Sequence, residues 1–387
     1  MRYVGLLALL AVPIAAGALA WFVMEHNGHI VTGMDNQIVW GLPHVFAVFL
    51  IVAASGALNV ASTASVFGKT AYKPLAPLSA LLSLALLAGG LAVLVLDLGR
   101  SDRLIVAMTH FNFKSIFALN VFLYNGFFAV VAVYLWFMLE RRMHRYTRVA
   151  GTLAFLWRLA LTTGTGSIFG FLVAREAYDS ALLAPMFIVL SFAYGTAIFM
   201  LVLLAACHWD DRPVADDVLA RLKNLLGIFV GASLYFVAVF HLTKLYMTRF
   251  DGIERFILLQ GGVHTLLFWL GQVAIGCILP LVLLFHPRLS ASRGVIVAAC
   301  ALVVLGGLAQ MYVTIIGAQA YPQILFPGMQ ESSSFFDGEI HPYAPSLWEV
   351  LLGLGGVALA LAIVAVALRA VALLPERVEA SAGEAGA

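Results

Sequence analysis

Charge is scarce in this chain. Of its 387 residues only 11% are Asp, Glu, Lys or Arg, whereas 63% are hydrophobic; the mean hydropathy is +0.99. A soluble domain has no way to bury that much apolar surface, so the sequence reads as a polytopic membrane protein. Cysteine is scarce too: Cys207, Cys277 and Cys300 lie far apart, and no C-x-x-C or C-x-x-C-H occurs. An encoded iron–sulfur cluster or c-type haem is thereby excluded, and any such centre must belong to a partner. The net charge of +2, with no basic run outside one loop, gives no reason to expect nucleic acid. The His residues form no spaced pair within one span, which argues against a diheme cytochrome. At most one b haem is left open, through His44, His241 or His264. A secondary transporter built from two matching halves would show an internal repeat, and none is evident.

Long apolar runs are what the chain does have. Stretches long enough to cross a bilayer, about 20 residues each, fall at 4–24, 42–67, 75–98, 115–139, 150–173, 182–207, 224–248, 257–285, 294–318 and 346–373. Barrel strands would alternate instead, so the expectation is an all-α integral membrane protein of ten transmembrane helices. One helical domain would then cover 1–375, leaving a short tail at 376–387. Ala18-Leu19-Ala20 in the first run could pass for a signal-peptide cleavage site, but the run is long and ends in Trp21-Phe22, which favours a retained helix.

Lys and Arg set the expected orientation. With the N-terminus inside, the cytoplasmic segments hold Arg2, Lys69, Lys73, Arg141, Arg142, Arg145, Arg148, Arg212, Arg221, Lys223, Arg288, Arg293, Arg369 and Arg377. The opposite side holds only Arg100, Arg103, Lys114, Arg175, Lys244, Arg249 and Arg255, and loops 25–41 and 319–345 hold none. Both termini are therefore placed in the cytoplasm. The outer cations sit near Asp97, Asp102, Glu176, Asp179, Asp251 and Glu254, as a solvated salt-bridge rim would arrange them. Ionisable residues inside the spans also gather toward this half: His44, Asp97, His241, Lys244, His264 and Glu349. Arg158 is the exception, and snorkelling would account for it.

The segment Val95–Asn120 concentrates these features. Asp97 closes one apolar run; Arg100, Asp102, Arg103, His110 and Asn112 follow; a second run opens at Ser115. Arg103 and Lys114 suit headgroup anchors, but a short carboxylate such as Asp97 cannot snorkel far. Leu96-Asp97-Leu98-Gly99-Arg100 and Asn112-Phe113-Lys114-Ser115 resemble the LDLGRP…NP.S signature of the NrfD (polysulfide-reductase C) family, with Ser101 in place of the usual Pro. Gly33-Met34-Asp35-Asn36-Gln37-Ile38-Val39-Trp40-Gly41 resembles the same family's approach to its second helix; as bare residues it also reads as a turn with an interfacial Trp. Gly317-Ala318-Gln319 and Tyr343-Ala344-Pro345-Ser346-Leu347-Trp348-Glu349 are similar to the C-terminal half of the ten-helix branch.

Other groups have plain readings beside functional ones. His44, Ser55, Asn59 and Ser62 share a helix face, suited to carrying protons or to a small-residue packing seam. His241 and Lys244 share a face, and the Lys would suit a quinone carbonyl, an acid such as Asp97, or a helix end. Glu349 suits a helix N-terminus. Around Phe268–Gln272 the family would place a carboxylate near Gly271, and this chain has none there.

The resemblance implies a quinone/quinol-interacting subunit that exchanges electrons with a periplasmic ferredoxin-like iron–sulfur partner and moves protons. The candidate residues are Asp97, His44 and Lys244 for proton transfer, with Asn36, Trp40, Arg100, Asn112, Ser115 and His241 joining them around the quinone; Lys244 and His241 come from the cluster of ionisable residues, not from a family motif. In detail, Gly41-Leu42-Pro43-His44 and Asn112–Ser115 are similar to the DsrP-type subunits of DsrMKJOP complexes in sulfur-compound metabolism. That would add a cytochrome c and a b-type membrane cytochrome as partners in a bacterial cytoplasmic membrane. A HybB-like hydrogenase subunit, the related HmeC type and a b-haem cytochrome are the alternatives.

Overall fold

In the computed structural model, residues 2–323 and 339–374 are described, and among them the ordered elements are helical. The expected tail at 376–387, Arg377 and most of loop 319–345 lie outside the described residues. The apolar runs become α1 (Arg2–Asn27), α2 (Leu42–Ser65), α3 (Ala76–Leu96), α4 (Ile116–Leu139), α5 (Thr147–Gly170), α6 (Leu183–Trp209), α7 (Asp216–Tyr246), α8 (Val263–Phe285), α9 (Arg293–Ala320) and α10 (Leu347–Ala370). Nine of these are long and apolar enough to cross a membrane among the described residues. The remaining one, α5, has 24 residues but carries Arg148, Arg158 and several Thr and Gly, so it is less apolar than the sequence reading supposed.

Three boundaries also differ. α7 begins at Asp216, because Asp216 and Asp217 in its first turn favour the positive helix end and extend it past the apolar run. α8 begins only at Val263, after Gly262 turns the chain at φ 56°; His264 therefore sits in its first turn, whereas a helix starting with the apolar run at 257 would place it about two turns in. α2 is interrupted at Leu58, between helical segments Leu42–Ala57 and Asn59–Ser65.

Packing follows small residues. α2 lies against α3, α6 and α10; α4 against α5; α7 and α9 against α6, with α8 against α7 and α9; α1 packs along α10. Where α2 crosses α6, a Cβ built on Gly195 would stand 2.1 Å from the Gly56 carbonyl carbon, so the two backbones touch. The same logic joins Gly276 to Gly306, where a Cβ on Gly306 would meet Gly276 Cα at 2.0 Å. The α2 stripe is thus a packing seam, but a polar one: Ser55 Oγ lies 2.9 Å from Thr162 Oγ1, and Asn59 donates to Thr196 at 2.9 Å. Arg158 does not snorkel. It is 3% exposed and donates to Asn59 Oδ1 at 2.5 Å and to the Ser55 carbonyl at 3.1 Å.

Candidate functional site

The end of α3 and the start of α2 bring Asp97 and His44 together. Asp97 is the C-cap of α3, its N–H bonded to the Val93 carbonyl at 3.0 Å. His44 sits in the first turn of α2, which Pro43 opens. His44 Nδ1 lies 2.7 Å from Asp97 Oδ2, and the Asp97 side chain is wholly buried. The approach is a close contact rather than an aligned hydrogen bond. Neither Asp97 oxygen, nor His44 Nδ1, has a hydrogen-bond partner among the described residues. Burying a carboxylate in this condition is costly.

A cavity of about 460 Å³ opens on the pair, lined also by Asn36, Trp40, Asp35 and Gly99. The Trp40 ring stacks near His44 with centroids 6.1 Å apart and meets Phe169 edge-on at 5.8 Å. Its backbone is held by one buried amide. Gln319 Oε1 accepts from Val39 N at 3.0 Å and Trp40 N at 3.1 Å, while Nε2 donates to the Trp40 carbonyl at 3.0 Å. Arg175 clamps the same turn through the carbonyls of Gln37 at 2.7 Å and Gln319 at 3.1 Å.

The turn itself is built by Asp35, whose carboxylate accepts from Gln37 N at 2.8 Å and Ile38 N at 2.7 Å and meets His341 Nδ1 at 2.7 Å. Partial burial pushes the Asp35 carboxyl up, but the Ile38 and Gln37 N–H groups and then His341 outweigh it and hold it below the ordinary range. Gly41 is required below the turn, since a Cβ there would stand 2.3 Å from Glu349 Oε1.

Several expected site residues lie apart from this cavity. Arg100 turns outward and pairs with Asp102 at 3.0 Å, both groups more than half exposed, so it does not hold Asp97. Asn112 is exposed and accepts the Lys114 N–H at 2.9 Å. Lys244 is 2% exposed but donates to the carbonyls of Glu176 and Ala177, the latter at 2.8 Å, under the rings of Phe240 and Phe250. His241 meets Glu254 at 2.7 Å. Ser115 serves as the N-cap of α4, accepting from Ala118 N at 3.4 Å. The rim at this end is partly ionic, with Arg249 and Asp179 at 3.2 Å.

His241 and Glu254 belong to a second polar centre, a narrow cavity of about 40 Å³ lined also by Gln272 and Gln310. Tyr194 donates to Gln310 Oε1 at 2.9 Å. Glu254 arrives from the short helix Asp251–Arg255 and brings a carboxylate to the cavity that Gln272 also lines. Sequence reasoning assigned Glu254 to the solvated rim because a charged loop gives no sign of turning inward; it is 2% exposed. Among the described residues no group of His, Cys, Asp and Glu could hold a metal ion.

The fold and site define a multi-pass helical membrane protein with a buried acid–imidazole pair at one end of its bundle. The chain belongs to the NrfD family: residues 30–323 match the family described as polysulphide reductase, NrfD. It is 30% identical over 383 residues to the Hdr-like menaquinol oxidoreductase integral membrane subunit of Archaeoglobus fulgidus, covering 97% of this chain and 95% of that one. It is 21% identical to a selenate reductase subunit of Mesobacillus selenatarsenatis, with 89% of each chain covered. It is also 30% identical to a putative dimethyl sulfoxide reductase membrane subunit of Halobacterium salinarum, over 79% of this chain and 74% of that one.

Proposed function

We propose that this chain is the quinol-interacting membrane subunit of a multi-subunit redox complex, and that the His44–Asp97 cavity receives the quinol head. The observation that carries the reading is the buried Asp97 carboxylate, without a hydrogen-bond partner among the described residues and 2.7 Å from His44, at a cavity that both residues line together with Trp40. The relative named as a menaquinol oxidoreductase subunit supports it.

On oxidation a bound quinol gives up two protons, and two electrons that pass to the redox partner of the complex. In this reading Asp97 accepts a proton at Oδ1 or Oδ2, and His44 receives or stabilises it through Nδ1. The Trp40 face, with Ile30, Val39 and Leu98, gives the head an apolar wall. Asn36 stands at the mouth as a further hydrogen-bonding group. Lys244 and His241 take no part at this head; their surroundings suit structural and separate polar roles.

The finer reading is a Dsr-type complex of sulfur-compound metabolism in a bacterial cytoplasmic membrane. Both termini would be cytoplasmic, ten helices would span the bilayer, and the His44–Asp97 end would face a periplasmic ferredoxin-like iron–sulfur partner. The detailed fit of Gly41–His44 and Asn112–Ser115 supports it.

The test is Asp97→Asn in the intact complex, which keeps size and removes the titratable group. Quinol oxidation should fall by about 10²–10⁴-fold while complex yield stays normal. Normal yield with normal turnover rejects the role of Asp97; lost yield with normal turnover per complex makes Asp97 a structural group.

A further inference from the structure

The end of the bundle opposite Asp97 holds a third cavity, of about 570 Å³, lined by Lys73, His144 and Arg148 together with Ser65, Phe67 and Thr147. It lies between the α2–α3 connection and the α4–α5 connection. α2 runs from His44 to Ser65 and α3 returns to Asp97, so roughly 30 Å of helix separates the two ends. Gly68, at φ 69°, makes the sharp turn that swings Lys69 to Lys73 around one rim.

Cations dominate there, the acid next to them in sequence being Glu140, whose carboxylate accepts the Arg142 N–H at 3.3 Å. Residues 66–80 and 141–155 contain no Asp or Glu, whereas they contribute Lys69, Lys73, Arg141, Arg142, Arg145 and Arg148. Both α3 and α5 also start at this cavity, through Ala76 and Pro77 and through Thr147 and Arg148, so two positive helix ends add to the field. Lys73 and Arg148 are exposed, and neither segment carries an acid to neutralise them.

Immediately beside the cations the surface is apolar. Phe67 is 61% exposed and packs edge-on against Phe155 at 5.7 Å. Along α5 the exposed Val149, Leu153 and Leu156 continue that strip toward the middle of the helix. A pocket of cations at a helix end, continued by exposed apolar side chains deeper in, matches a molecule with an anionic head and acyl chains better than a free anion.

We infer that this cavity binds the phosphodiester headgroup of an anionic phospholipid, held by Lys73 and Arg148, with an acyl chain lying along Phe67 and α5. The site is independent of quinol chemistry and would couple fold stability to lipid composition.

The experiment uses the purified protein in detergent, titrated with dioleoyl-phosphatidylglycerol, dioleoyl-phosphatidylcholine or inorganic phosphate. Unfolding temperature and lipid adducts in native mass spectra are followed. Phosphatidylglycerol should bind and raise the unfolding temperature, with phosphatidylcholine and phosphate giving neither effect. At about fivefold in affinity per cation near a membrane surface, the Lys73→Gln/Arg148→Gln double variant should bind phosphatidylglycerol roughly 25-fold more weakly. Both positions are exposed, so the variant should fold with the unfolding temperature of lipid-free wild type. Phosphatidylcholine binding as tightly as phosphatidylglycerol, or a double variant with unchanged affinity, overturns the inference. A shift reproduced by phosphate alone overturns the lipid assignment and leaves a simple anion pocket.

Discussion

The Glu349 carboxylate accepts the N–H of Gly33 at 2.8 Å, across 316 residues of chain. The same carboxylate closes a capping box with Ser346 and accepts the Tyr343 hydroxyl at 2.5 Å. Tyr343 in turn accepts the Leu42 N–H at 2.7 Å. Burial and the neighbouring Glu349 push the Tyr343 phenol well up, which keeps its proton available for the bond donated to Glu349. The start of α10 thereby fastens the turn that carries Trp40 over the cavity.

Replacing Glu349 by Gln should weaken this fastening. A buried amide would turn an acceptor toward some N–H groups and a donor toward others, at a cost of about 1–3 kcal/mol. The unfolding temperature should drop, and proteolysis within 33–41 should speed up. If both are unchanged, the carboxylate is not what holds the turn.

His44 and Asp97 should behave as one unit. His44→Gln alone should depress quinol oxidation by at least about 10²-fold, and His44→Gln/Asp97→Asn should be little worse than either single change. Multiplying losses in the double variant would mean that the two residues act separately.

The Asp35 turn should be acid-sensitive. Its carboxyl is held below the ordinary value of 3.8, so the folded state binds fewer protons than the unfolded one there. The stabilisation is complete above 3.8 and is lost as pH falls through the lower folded value. Hydrogen exchange at Gln37 and Ile38 should therefore accelerate beyond its intrinsic rate on acidification, and Asp35→Asn should remove that dependence. Acid-independent protection in the wild type would contradict the assignment.

The α2–α6 crossing should tolerate no side chain at Gly195. A Cβ would meet the Gly56 backbone at 2.1 Å, with no flexible group to yield. Gly195→Leu should cost at least the upper part of the 1–3 kcal/mol range, about 3 kcal/mol, seen for overpacking. Gly231→Leu, where no described atom lies within 4 Å, is the control. Equal membrane yields for the two variants would show that the crossing can relax.

Much was legible in the chain alone. Apolar run length located the helices, because partition into a bilayer depends on local composition and hardly on what lies elsewhere. Asp97, His44, Trp40 and Asn36 could be picked out together because short segments carry their resemblance. The tertiary structure decided which polar groups meet. His241 and Lys244, a helical turn apart, reach different partners in Glu254 and the Glu176–Ala177 carbonyls, while Arg100, close to Asp97 in sequence, turns away to Asp102. Gln319 and Glu349 hold a turn some 300 residues before them. Such pairings depend on how each helix is rotated and how closely neighbours approach. Small residues at crossings set both, and the hydropathy of a single run holds no record of either.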